Sequence, residues 1–227
     1  SHPNADPQRV AVAGLSGGGW QTIFISALDE RVTLSNPVVG YSSFRTRARY
    51  LTDLGDSEQT PCDLATVTDY AQLTALRALR PTLLTKNAED TCCFRAEHVL
   101  PPLLEAACPV YALYGKPSHL RYHINHEPGD HNFGVDNRQQ LYRFICDVFY
   151  PGDKDFNRDE IPSEKEIKTY DQLIVPLPKD NQTFNTLALG PGYPVRQYVV
   201  CFWSGTVGSK YPRGRLRRYC RPDEAHT

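Results

Sequence analysis

Ser16, Asp90 and His131 follow one another in that order along a chain of 227 residues, and their types suit covalent hydrolysis. A serine hydroxyl becomes a useful nucleophile when a base takes its proton, and the base needs a carboxylate to hold its ring. Ser16 lies in Gly14-Leu15-Ser16-Gly17-Gly18. This G-x-S-x-G string is weak alone. Its flanks strengthen it, because the chemistry needs a sharp strand-to-helix turn that lifts the hydroxyl above a sheet edge. Gly17 then offers its backbone N–H at a helix start, where an oxyanion is stabilised.

The other two groups fit the same edge. Asp90 stands three residues past the strand candidate "PTLLTKN", and His131 lies in the loop after "LRYHIN". Groups that do chemistry on an open parallel sheet gather beyond the carboxyl ends of its strands. Rival assignments are Glu89 or Asp130 as the acid and His123 or His126 as the base. Asp130 is adjacent to His131, and chain neighbours rarely point at each other. His123 falls inside the predicted strand and His126 at its end, which suits structural roles.

The elements that must position these residues are readable. "RVAVAGL" (Arg9 to Leu15) is a short apolar run, as expected of a strand buried on both faces. Trp20, Ile23, Phe24, Ala27 and Leu28 recur with the spacing of one helical face. Further strands are expected at Leu34 to Tyr41, Pro81 to Asn87 and Leu120 to Asn125. Helices are expected at Thr68 to Leu79, at Glu97 to Gly115 with a break or kink at its prolines, and at Asp136 to Tyr150. Asp136 with Gln139 resembles a capping box. Strands alternating with helices define an α/β fold, a three-layer parallel sheet with right-handed crossovers.

Pro151 to Leu189 is charged and is expected to wrap the surface irregularly. The basic and acidic totals are 25 and 26, of which 18 and 24 lie before Gly190. The chain therefore divides into a hydrolase-like domain, 1–189, and a basic tail, 190–227, with a strand candidate at "RQYVVCFW".

Metal chemistry finds little support. His119, His123, His126 and His131 are spaced too irregularly to share a strand face. "DKDFNRDEIPSE" carries oxygen ligands at calcium-loop positions, but Arg158 stands where the loop wants glycine and Pro162 interrupts it. The seven cysteines include no CxxC pair and read as buried free thiols. Adjacent Cys92 and Cys93 are poorly placed for a relaxed disulfide. No metal or cofactor is expected. Near-zero net charge speaks against nucleic acid as a partner, and no apolar run is long enough to span a membrane. The polar start lacks a signal-peptide core, so a cytoplasmic location is expected unless an export signal was removed from a longer precursor.

With these residues in view, the chain resembles α/β-hydrolases of the acetyl xylan esterase and dienelactone hydrolase type, bacterial members above all. The resemblance runs from about Arg9 to Leu189 and rests on "VAGLSGGGWQT", "LSNPVVGYSSF", "GDSEQTPCDL", "RPTLLTKNAEDTCCF" and "PGDHNFGVDNRQQLYRF". It implies Ser16 as nucleophile, Asp90 as acid and His131 as base, acting on a carboxylic ester. Two departures stand out: the strands that normally precede the elbow strand, and any likeness beyond Leu189. A fold truncated on its N-terminal side leaves the elbow strand as an open edge. A homo-oligomer covering that edge is expected, with the second oxyanion donor supplied by the Tyr41–Phe44 loop or by a partner chain. Small or activated esters are the expected substrates. The alternatives are a peptidase of the prolyl oligopeptidase type and a non-catalytic interaction module.

Overall fold

A computed structural model describes residues 3, 5–61 and 63–189. The basic tail, 190–227, and its strand candidate lie outside the described residues. Four strands, β1 (Ala11–Leu15), β2 (Leu34–Val38), β3 (Thr82–Asn87) and β4 (Leu120–Asn125), run parallel in the order β1-β2-β3-β4. The helices between and after them are α1 (Gly17–Leu28), α2 (Phe44–Arg49), α3 (Tyr70–Ala75), α4 (Ala96–Leu113) and α5 (Val135–Phe149).

Alternation along β3 creates the layers. Successive strand side chains point to opposite faces. Leu84 joins Ile23 of α1, Tyr70 and Leu73 of α3, and Leu100 and Leu103 of α4 in one buried cluster. Its neighbour Leu83 joins Leu34, Leu141 and Phe144, the last two from α5. Helices therefore cover both faces. This is the three-layer parallel α/β sheet of the α/β-hydrolase fold. Complete burial of a leucine such as Leu84 stabilises by about 1.5–3 kcal/mol.

Differences from the sequence expectations have local causes. β1 is an edge strand, and Ala11 and Ala13 are exposed rather than buried on both faces. The helix expected over Thr68 to Leu79 ends at Ala75, and Leu79 takes a left-handed φ of 79°. Just past that stop, the buried guanidinium of Arg77 donates to the carbonyls of Ser26, Val32 and Pro81. α4 continues through Pro101, Pro102 and Pro109 without the expected break. Proline at 102 leaves the His98 carbonyl without its helical donor, and the Thr46 hydroxyl donates to it instead at 3.4 Å.

The expected capping box at α5 is absent. Gly134 is the N-cap. Asp136 instead accepts from Asn125 and pairs with His123, while Gln139 accepts from the Glu160 amide. After α5, residues 151–167 are irregular except for one 3-10 turn, Glu164–Glu166. From Lys168 onward the described residues belong to a separate unit. Its described part holds two short helices, α6 (Tyr170–Leu173), with a capping box between Thr169 and Gln172, and α7 (Phe184–Leu189). The stretch expected to be irregular up to Leu189 is thus partly helical.

Candidate active site

Ser16 occupies the junction between β1 and α1 with φ 56° and ψ −117°, a backbone conformation that is costly for a residue with a side chain. The surroundings hold it there. The Ser16 amide donates to the Val38 carbonyl at 3.0 Å, and the Ser16 carbonyl accepts from the Trp20 amide at 2.9 Å. A methyl group on Gly14 would sit 2.7 Å from the Gly18 backbone, and one on Gly19 would sit 2.5 Å from the Val38 carbonyl oxygen. These two glycines are required by close backbone approach. The Ser16 side chain does not cap α1 and stays half-buried. Gly17 is the first residue of the helix, where backbone N–H groups have no partner within the helix.

Asp90 and His131 are brought together. His131 Nδ1 lies 2.9 Å from Asp90 Oδ2 and 3.0 Å from Oδ1. The Asp90 side chain is fully buried, while the imidazole keeps 22% of its surface. Asp90 Oδ1 also accepts from the amides of Cys92 and Cys93, at 3.1 and 3.0 Å. A carboxylate fixed by two amides cannot turn from the imidazole without losing them. In the neutral ring, with the carboxylate as acceptor, Nδ1 carries the proton and Nε2 keeps its lone pair.

The histidine loop is held by asparagines. The Asn87 amide donates to the Asn132 carbonyl, Asn137 donates to the Asn87 side chain, and Asn125 accepts from the Gly129 amide. Backbone bonds from Ala88 to Asn125 and from Glu89 to Gly129 close the loop after β3 against the loop after β4. Leu15, beside Ser16, and Phe133, beside the histidine loop, both pack on the cluster of Val38, Val39, Cys93, Phe94 and Val99. The three groups therefore belong to one end of the sheet.

Three of the four rivals are engaged elsewhere. Glu89 pairs with Arg95, and the Asp130 carboxylate accepts from Asn132. His123 Nε2 stands 2.6 Å from Asp136. Within the Tyr41–Phe44 loop, the Tyr41 amide donates to the Val39 carbonyl, the Phe44 amide to Asp69 and the Ser42 hydroxyl to the Asp53 carbonyl. That loop has already committed those three donors.

Three features escaped the sequence. Lys86 is completely buried and donates to the carbonyls of Val39 (2.9 Å) and Tyr41 (3.3 Å), and burial lowers its pKa to about 7. The amides of Cys92 and Cys93 hold the acid, a contact that the D-x-C-C spacing could have suggested as an Asx turn. Cys92, expected to be buried, is exposed, as is Cys108, whereas Cys93 and Cys146 are buried. One ligand atom from each of Cys92, Cys93 and His131 falls within a 4.8 Å grouping. A groove between α5 and residues 156–163 lies elsewhere, and its lining includes none of the three candidate groups.

No family model matches the chain, and no curated protein matches it. Solved structures do. Methylesterase BT1017 shares 26% identity at a TM-score of 0.54, over 69% of this chain and 33% of its own. A glucuronoyl esterase from Teredinibacter turnerae shares 18% at 0.51, over 65% and 42%. A glucuronoyl esterase from Sporotrichum thermophile, in complex with methyl 4-O-methyl-beta-D-glucopyranuronate, shares 17% at 0.50, over 64% and 45%. The chain thus spans a third to under half of the length of these proteins. Their likeness agrees with the α/β-hydrolase fold read from the strands.

Proposed function

We propose that the chain hydrolyses carboxylic esters through an acyl-enzyme intermediate. The observation that carries this reading is the pairing of buried Asp90 with the partly exposed His131, on the sheet end where Ser16 is held at a left-handed φ. In the proposed reaction the Ser16 hydroxyl attacks the ester carbonyl as His131 Nε2 takes its proton. Asp90 keeps the proton on Nδ1 and stabilises the charged ring. The tetrahedral oxyanion accepts from the Gly17 N–H. His131 returns its proton to the departing alcohol. Water, activated by the same nitrogen, then attacks the acyl-serine, and the acid leaves.

The similarity to a methylesterase supports an ester rather than an amide as substrate, and a small alcohol as leaving group. Small or activated esters are the proposed class. Rapid covalent labelling by a fluorophosphonate, lost in Ser16→Ala, is the expected result. An unlabelled but folded chain would leave the interaction-module reading standing.

The outer edge of β1 supports a second proposal, a homo-oligomer. Among the described residues β1 pairs only with β2, so one row of backbone donors and acceptors is left over. A second copy pairing there would cover the edge and place a further N–H donor near Ser16.

A further inference from the structure

Besides presenting amides to Asp90, Cys92 and Cys93 bring two thiols together. Their sulfurs lie 3.5 Å apart, and one atom of the His131 ring completes a grouping within 4.8 Å. A tetrahedral zinc ion with two Zn–S bonds and one Zn–N bond has sulfur–sulfur and sulfur–nitrogen edges of about 3.8 and 3.5 Å. The sulfur pair is therefore already at nearly the right separation. The Cys92 side chain is exposed, which leaves it room to adjust towards an ion. The ring is partly exposed, which gives an ion a path from solvent. Asp90, hydrogen-bonded to the imidazole, stands as the outer carboxylate that commonly orients a ligating histidine.

We propose that Cys92, Cys93 and His131 form a site for a thiophilic divalent cation of the zinc type, and that its occupancy switches the hydrolase off. Each thiol passes its proton to buffer as its thiolate binds the ion. The fourth position is left to water. Coordination through Nε2 occupies the lone pair that would take the serine proton. Coordination through Nδ1 displaces Asp90 from the ring. Either way the base is withdrawn. The inhibition rests on the esterase reading above; the binding does not.

The test uses the whole reduced chain. Cobalt(II) is titrated in while the thiolate-to-cobalt charge-transfer band is followed, and zinc is then added to displace it. Hydrolysis of p-nitrophenyl acetate is measured with and without zinc and after a chelator. The expected result is one equivalent of cobalt bound, displacement by zinc, and a roughly hundred-fold or greater loss of rate that the chelator reverses. Cys92→Ser and Cys93→Ser should each lose the band, and each should lose zinc sensitivity relative to its own zinc-free rate. Cys108→Ser should keep both, and His131→Ala should bind at least about ten-fold more weakly. No band in the wild-type chain, or a band that persists in both serine variants, overturns the site. A wild-type chain that binds one equivalent but shows no zinc-free hydrolysis keeps the metal site and sinks the esterase reading instead.

Discussion

Asp90 Oδ2 stands 2.9 Å from His131 Nδ1 although 41 residues separate them in sequence. The carboxylate reaches that distance because the β3 loop is pinned twice, by the amides of Cys92 and Cys93 on its oxygen and by the Glu89 amide on the Gly129 carbonyl. Replacing Asp90 with asparagine keeps the shape and removes the charge. The ring is then free to carry its proton on the wrong nitrogen. We expect kcat for a small ester to fall by about a thousand- to ten-thousand-fold, with KM little changed. Glu89→Gln, at a residue paired with Arg95 outside this contact, should change kcat by less than about five-fold, because surface ion pairs carry little energy.

The elbow should tolerate substitution unevenly. A Cβ at Gly19 would press to 2.5 Å from the Val38 carbonyl oxygen, whereas one at Gly18 meets nothing within 4 Å. Gly19→Ala should therefore destabilise by about 1–3 kcal/mol in a denaturant titration, as overpacking does. Gly18→Ala should be neutral, or stabilising by up to about 1 kcal/mol through the unfolded chain. Equal midpoints for the two variants would contradict the crossing geometry.

Lys86 gives stability a pH signature. Its pKa is lowered from 10.5 to about 7, chiefly by desolvation, with the nearby Asp90 charge opposing. Between pH 7 and 10.5 the unfolded chain binds more protons at this residue than the folded one. Its contribution to stability therefore increases as pH rises through that window and is smallest below pH 7. Between pH 7 and 9, the Tm of wild type relative to that of Lys86→Met should rise. A difference that stays flat, or falls, would mean that the amine is charged when folded.

Mass in solution tests the proposed pairing at β1. Light scattering at micromolar concentration should return at least twice the chain mass of 25.6 kDa. A lysine placed at Ala13 on the exposed face of this strand should shift the balance towards monomer if that face is covered in the assembly. A monomeric wild-type chain would remove the homo-oligomer proposal and leave the chemistry at Ser16 unaffected.

Much of the framework was legible in the sequence because it depends on local pattern. The stretch Leu120 to Asn125 became β4 with the same bounds, and the Trp20, Ile23, Phe24, Ala27 stripe packed as read, although Leu28 at its end is exposed. Elements shaped by distant contacts were harder. Nothing near Arg77 announces that its guanidinium will reach Ser26 and Val32, yet those bonds accompany the early end of α3. Asp136 has the spacing of a cap, but Asn125 and His123, side chains from β4, take its carboxylate. At the candidate site, residue types and order led the sequence reading to Ser16, Asp90 and His131, and the folded chain brings Asp90 and His131 into contact. The groups that fix them were not visible, because the Cys93 amide and the asparagines at 87, 132 and 137 act through geometry that only the folded chain supplies.

The most direct measurement is hydrolysis of p-nitrophenyl acetate by the purified chain beside Ser16→Ala, with matched circular dichroism to show that both are folded. We expect saturable turnover in the wild-type chain and a drop of about a thousand-fold or more in the variant. Equal rates for the two folded proteins would mean that Ser16 is not the nucleophile, and ester hydrolysis through this elbow would have to be abandoned.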